Sequence, residues 1–477
     1  MPGVSVYGTN PGLTSLLRIN PFSFPHGNHD VSKNIHILEH LDRLVEIFNV
    51  CWPMYAAMPA VLKEAIEKSY EDCGWNLVES TNSYQEEGQQ LYPTFADVAR
   101  NVRLIIDSSE YDAENKGAYK GALLTRLKSL TNGINGLVFT TDELAASDLF
   151  NKNVIADLSR VGSMETKSLI MGLLVLKLQE HRMTEGRVNS NLHHVTVLEE
   201  AHNLLKRTSA EQGQDSGNLL GKSVEMLANA IAEMRTYGEG FIIADQAPAL
   251  LDMAVIRNTN TKIIMRLPDQ TDRELVGRAA NLSQDQITEL ARLPLGVAAV
   301  YQNEWIEPVL CQVELHDDAH EYHLPKDDKQ CISSNPQLET RRKLDLARLL
   351  CDGTKLDTLT EAKEKIQGLN LSACIQVQAL RLLLEPAASP RYTRLAPVVA
   401  ELFPKAKESL KRIFERTSEI LEWTDTVDRE IKLQVAGQEI EEELHRSIRQ
   451  CIVTQLLYNE LGKIDQLERW AREGGAR

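Results

Sequence analysis

The sequence predicts an α/β fold: a parallel sheet flanked by helices, with a helical insertion and an all-α C-terminal domain. Three observations carry that reading. Apolar runs such as Val195-Thr196-Val197-Leu198 contain no charge, as buried strands of parallel sheets do. Helix-like segments alternate with these runs, which implies right-handed crossovers between parallel strands. Beyond Leu315 only helical spacing remains.

The chain has 477 residues, room for roughly two to four domains with large cores. Hydrophobic residues make up 43% and charged residues 25%, ordinary values for a globular protein. A net charge of -16 argues against coating nucleic acid through bulk charge, though a local basic channel remains compatible with it. Seven cysteines, without short regular spacing, read as reduced thiols of a cytoplasmic protein. No charged-then-apolar leader and no apolar run of roughly 18 residues occurs, so neither secretion nor a membrane span is expected.

Taken in order, residues 1–30 are punctuated by Gly3, Gly8, Pro11, Gly12, Pro21, Pro25 and Gly27, with a short strand-like piece from Leu16 to Phe22. They read as a partial N-terminal edge of the core, a chain that starts inside a sheet. Residues 31–132 read as a helical insertion. Ile35, Leu38, Leu41, Val45 and Phe48 keep amphipathic spacing, a second helix spans 59–73 before Gly74, a third starts near Thr94, and a fourth covers 119–130. Residues 133–315 read as the core. Its strands are expected at 136–139, 153–158, 195–198, 241–244 and 262–267, with an edge hairpin from 296–301 and 308–313. Its helices are expected at 169–179, after a Ser163 cap, and at 224–234 and 251–257. A polar linker follows, and the α-helical domain at 316–477 names no chemistry; the acidic run from Glu439 to Glu443 reads as a solvated helix face.

Chemistry concentrates at His193-His194-Val195-Thr196-Val197-Leu198-Glu199-Glu200-Ala201-His202-Asn203. Ligands of open α/β sheets bind outside the carboxyl ends of the strands, where this run places two adjacent carboxylates. Such a pair suits Mg²⁺–nucleotide chemistry: one acid holds the metal's water shell and the other orients or deprotonates an attacking water. The bland alternative is a surface turn with two solvated acids. A metal hydrolase built on His193, His194 and His202 fits less well, because no His-Glu-x-x-His spacing is present.

The segment Val195–Asn203 resembles the Walker B segment of the HerA/FtsK superfamily of P-loop ATPases, closest to its HerA-like branch of hexameric DNA translocases. The resemblance continues through Ala232–Gly240, where the family carries a helix-end arginine, and through Phe241–Pro248, a strand ending in a sensor glutamine followed by proline. Asn258–Ile264 and Asp272 are similar to the family's last core strands. Residues 135–313 are covered well, the earlier helical part loosely and the tail hardly at all. The resemblance implies a RecA-like core, with Glu199 helping to bind Mg²⁺ through water and Glu200 as the catalytic base. It implies Gln246 as the sensor and Arg235 as an arginine finger supplied to the adjacent subunit's nucleotide. The plain alternatives are a buried strand-end amide for Gln246 and a helix-end arginine facing the macrodipole for Arg235. Arg266 is a candidate nucleotide or interface contact, an edge salt bridge being its alternative. ATP as substrate, Mg²⁺ as cofactor, a homo-oligomeric (hexameric) ring, DNA, and a nuclease or other effector partner follow from the same resemblance. Lys206, Arg207 and Lys222 are candidate contacts to a DNA backbone.

One departure weighs against simple transfer. A P-loop ATPase needs Gly-x-x-x-x-Gly-Lys-Ser/Thr before its Walker B strand, because backbone N–H groups and the lysine cradle the phosphates. Nothing from Met1 to Leu192 fits. The only Gly-Lys-Ser, Gly221-Lys222-Ser223, follows the acids in chain order and has Ser216 where the first glycine belongs; it reads as a surface loop leading into a helix. The expectation is therefore an ATP-driven, ring-forming DNA translocase or helicase subunit, truncated or split from its phosphate loop. A non-catalytic assembly module with a degenerate ATPase fold is the competing reading.

Overall fold

The computed structural model describes residues 3–26, 34–52, 54–85, 91–185, 188–207, 219–315, 336–367, 369, 371–385, 391–435 and 438–475. The chain divides into two compact units, Met1–Glu67 with Thr94–Asp327 and Lys68–Pro93 with Asp328–Arg477. In chain order its strands are β1 (Val4–Gly8), β2 (Ser15–Leu16), β3 (Trp75–Asn76), β4 (Thr81–Asn82), β5 (Asn153–Asp157), β6 (His194–Glu199), β7 (Glu239–Ala244), β8 (Thr261–Ile264), β9 (Val297–Gln302) and β10 (Val309–Gln312).

In the first unit β1 lies between β2 and β5 and is parallel to both, Val4 facing Asn153 and Gly8 facing Asp157. Strands β6 and β7 pair in parallel from His194–Glu239 to Glu199–Ala244. Strands β8, β9 and β10 form an antiparallel group that ends in the expected edge hairpin. The α/β class holds, but the strands do not make one continuous ladder. Among the described residues none joins β5 to β6 or β7 to β8.

Two local expectations are corrected. The run Gly136-Leu137-Val138-Phe139 lies in and just past a helix, Gly133–Val138, and its sheet-like pairing is one isolated Ile19–Phe139 bridge outside the strands. An apolar run this short has no period of its own, and helical bonding such as Phe139 N–H to Asn135 O at 2.8 Å settles it. The central strand, in turn, is covered on one face only. Leu198 is buried, whereas Val197 on β6 and Ile242 opposite it on β7 are each 54% exposed. The absence of charge in that run reflects an apolar face that no described residue covers.

Helix Met164–Thr184 backs the pair. Ser163 caps it as expected, accepting the Thr166 N–H at 3.3 Å. It packs against helix Ile37–Cys51 through Gly172, where a Cβ would stand 2.8 Å from Ile47 Cγ2. Between these helices His40 Nδ1 donates to the fully buried Glu180 at 2.9 Å, with the Phe24 ring stacked on the imidazole.

A buried carboxylate ties the amino-terminal ends of β6 and β7 to helix Met164–Thr184. Gly238, in the left-handed region at φ 78°, turns the chain into β7. A Cβ there would fall 2.3 Å from His193 Nδ1 and 2.5 Å from Asn191 O. The next side chain, Glu239, accepts from Arg182 Nε at 2.9 Å and from His194 Nδ1 and Thr196 Oγ1 at 2.7 Å each. Burial pushes its carboxyl up, but these three donors outweigh burial and hold it below the usual glutamate range.

The second unit contains the short hairpin of β3 and β4 and the helices from Pro336–Asp352 to Ile464–Arg472. Its core gathers Leu380, Val399, Phe403, Val427, Ile448, Leu456 and Trp470, and the Trp470 indole N–H donates to Thr424 Oγ1 at 3.0 Å.

Because Arg182 and Glu239 are both buried, removing the acid leaves the Arg182 Nε, His194 and Thr196 donors without their acceptor and Glu185, at 3.1 Å, as the remaining counter-ion of the guanidinium. Glu239→Ala is expected to lower unfolding free energy by about 3–5 kcal/mol in chemical denaturation near neutral pH. A depressed carboxyl contributes stability above its unfolded value of about 4.3 and loses it as pH falls through the folded value. The variant's deficit therefore shrinks in acid.

Candidate functional site

Strand β6 ends at Glu199, and the chain leaves it through Glu200 in the left-handed region, φ 52° and ψ 45°. For a residue with a Cβ this costs about 1–2 kcal/mol, so the surroundings must hold it. They do so from three sides. The Glu200 carbonyl accepts from the Asn203 backbone at 2.9 Å and its side-chain amide at 2.8 Å. Ala201 is fully buried, and Ser168 on the backing helix donates to the Asn203 carbonyl. Asp245, directly after β7, accepts both the His202 backbone N–H at 2.8 Å and His202 Nδ1 at 2.9 Å.

The turn aims Glu200 at the adjacent strand end. Gln246 Nε2 donates to Glu200 Oε1 at 2.9 Å, and His202 Nδ1 lies 3.7 Å from Glu200 Oε2. The Glu200 side chain is 40% exposed and Asp245 only 2%, so an accessible acid stands on a buried one. Asp245 is further tied by the Ala247 N–H at 2.9 Å. Glu200, Gln246 and His202 thus converge over the buried Asp245 at the carboxyl edge of two parallel strands, where the accessible Glu200 carboxylate can accept from a water.

Of the sequence candidates, Glu200 and Gln246 meet directly. Glu199 is the exposed last residue of β6, on the same face as Val195 and Val197. Arg235 is exposed in the turn Met234–Tyr237 that precedes β7, at the end opposite Gln246. The six residues of β7 separate them by about 20 Å at ~3.3 Å each. Arg266 is exposed two residues past the end of β8, so it sits in a loop rather than on a strand. Lys206 and Arg207 are exposed beside Leu250 and Leu251, Arg207 N–H reaching Leu250 O at 2.6 Å. Lys222 is exposed in the first turns of helix Leu219–Glu233; residues 208–218 lie outside the described residues. The Gly221-Lys222-Ser223 segment is helical rather than a surface loop, and the buried Ser223 hydroxyl donates to Glu46. The three histidines do not assemble: His194 serves Glu239 at one end of the strand pair and His202 serves Asp245 at the other.

The DNA double-strand break repair helicase HerA of Sulfurisphaera tokodaii is 21% identical over 243 residues, 50% of this chain and 47% of that protein. The helicase of the same name from Saccharolobus solfataricus is 23% identical over 256 residues, 50% of this chain and 48% of that protein. These low-identity similarities support the resemblance to the HerA/FtsK superfamily that the sequence motifs carry. The chain spans about half the length of these curated HerA relatives. Among solved structures, VirB4 of Thermoanaerobacter pseudethanolicus superposes with a TM-score of 0.46 at 15% identity, covering 66% of this chain and 77% of that one. No protein-family model matches the chain.

At this site, reading the sequence alone missed Asp245 and assigned His202 only to a metal set. The available signal was the parallel register: Glu199 opposite Ala244 makes Glu200 and Asp245 neighbours. Asp245→Ala deprives three N–H donors of their acceptor and is expected to cost about 2–3 kcal/mol by chemical denaturation. Gln246→Ala, which breaks one exposed bond, is expected to cost less than about 1 kcal/mol in the same assay.

Proposed function

We propose that this chain carries the water-activating half of an ATP-driven, ring-forming DNA translocase or helicase subunit of the HerA-like type. The observation that supports the reading most is the Glu200–Gln246 hydrogen bond at the carboxyl ends of β6 and β7. It places a partly exposed carboxylate and a polar amide side by side where a γ-phosphate and its attacking water would meet.

In this reading Glu199 helps hold Mg²⁺ through water. One or two carboxylates beside open solvent and substrate phosphates are the donor set that ion favours, so the residues present fit it. Bound with ATP, the ion supplies charge neutralisation on the phosphates. Glu200 accepts the proton of the attacking water, and Gln246 keeps the Glu200 carboxylate turned toward it. Arg235, about 20 Å from the acids along β7, serves the nucleotide of the next subunit, which calls for a homo-oligomeric, hexameric ring. Arg266 is a second contact to phosphate or to that subunit, and the exposed Lys206, Arg207 and Lys222 face a DNA backbone.

The phosphate loop is supplied from outside residues 1–477. Support comes from Ser216 standing where the first glycine of such a loop belongs, from the Ser223 hydroxyl being engaged by Glu46, and from the uncovered apolar face of Val195, Val197 and Ile242 that leads up to Glu199. A further strand-bearing segment, in the same polypeptide or in a separate one, would cover that face and bring the loop to the acids. The curated relatives are named as DNA double-strand break repair helicases, which supports DNA as the substrate in this reading; a nuclease or other effector as companion comes from the family resemblance alone. No described helix is long and apolar enough to cross a membrane. Cys51, Cys73, Cys311, Cys351, Cys374 and Cys451 form no disulfide with one another, in keeping with a cytoplasmic protein. The missing loop also favours a second reading, an assembly module with a degenerate ATPase fold.

ATP hydrolysis with Mg²⁺, with and without DNA, separates the two. It is to be measured on the chain alone and together with a segment bearing a glycine-rich loop. Glu200→Gln is expected to lower turnover by about 10²–10⁴-fold while leaving oligomer mass in light scattering unchanged. Hydrolysis that survives the substitution, or none in either form of the wild-type protein, rejects the motor reading.

A further inference from the structure

We infer that Asp245 and His202 form a positioning pair that sets where the Glu200 carboxylate stands. The inference rests on the role proposed above for Glu200 and adds two residues to which nothing else assigns a part in it.

The turn after β6 has to carry a side chain in the left-handed region and still present it toward β7. Glu200 itself receives one side-chain hydrogen bond, from Gln246, and is open to solvent on its other side. A glutamate held by one neutral donor would exchange among rotamers. What narrows the choice is the next residue but one. His202 is fastened twice to a single buried oxygen, Asp245 Oδ2, through its backbone N–H and through Nδ1. The backbone bond places the turn, and with it the Cα of Glu200; the ring bond places the imidazole edge 3.7 Å from Glu200 Oε2. Asp245 is in turn held by Ala247 N–H, and its neighbour Gln246 reaches Glu200. Consecutive residues after β7 therefore grip alternate residues of the turn after β6. Asp245 Oδ2 has taken the Nδ1 proton's bond, so the ring acts on Glu200 by place and packing rather than by donating to it.

This arrangement separates the two ring nitrogens in a test. Asparagine can put an N–H donor near the position of Nδ1, while alanine and glutamine cannot. In the full chain, hydrolysing ATP under the conditions given above, His202→Ala is expected to lower kcat at least about ten-fold with KM within about two-fold. His202→Asn is expected to regain most of that loss and His202→Gln to regain none. A second readout does not need turnover: the side-chain amide resonance of Gln246, assigned by its disappearance in Gln246→Ala. It is expected to shift in His202→Ala and to return in His202→Asn. If wild-type protein hydrolyses no ATP, the motor reading falls while the amide resonance still decides whether the pair positions Glu200 and Gln246. An unmoved resonance in His202→Ala, or a shifted one with kcat unchanged, overturns the inference. Should His202→Ala fail to fold by circular dichroism, the same comparison between His202→Gln and His202→Asn decides it.

Discussion

The site depends on one pairing, the parallel register of β6 on β7 that sets Glu199 opposite Ala244. Each end of that pair is locked by a buried carboxylate drawing donors from both strands or the turns that follow them. At the start Glu239 takes His194 and Thr196 from the neighbouring strand and Arg182 from the backing helix. At the finish Asp245 takes His202. A slip by one residue would turn Val197 inward, Leu198 outward, and carry Glu200 away from Gln246. The two buried acids make the slip costly, because each would lose charge-assisted bonds in a poorly hydrated place.

Much of this was legible in the sequence, and the reasons differ by element. The strand at 194–199 announced itself by an uncharged β-branched run stopped by two acids, and β7 by a similar run after a glycine. Helix Met164–Thr184 was visible from its length and its serine cap. Glu200 and Gln246 could be named through the resemblance to the family's Walker B and sensor motifs, and they meet because the ends of adjacent parallel strands meet.

Other features were not legible, for physical causes that can be named. The run at 136–139 is too short to show a period, so its neighbours decided between helix and strand. Asp245 looked like an ordinary polar residue after a strand, because its burial comes from the turn of another segment folding over it. Glu239 was hidden likewise, since an acid directly after a glycine reads as a turn until Arg182, fifty-seven positions away, arrives beside it. That the strands fall into separate hydrogen-bonded groups left no mark on local pattern at all. An apolar face has the same composition whether its cover comes from nearby in the chain, from far along it, or from another molecule.

The bare face of β6 and β7 carries a burden for the chain as it is synthesised. Val195, Val197 and Ile242 lie on a two-stranded ribbon whose outer backbone groups have no ladder partner among the described residues, with Ile155 and Ile263 exposed on other strands. Flat, greasy strands with free N–H and C=O groups recruit further strands without discrimination. Until that face is covered, the folding chain offers these strands as sites for wrong pairing. Whatever covers Val195, Val197 and Ile242 therefore also shields these strand edges from such pairing.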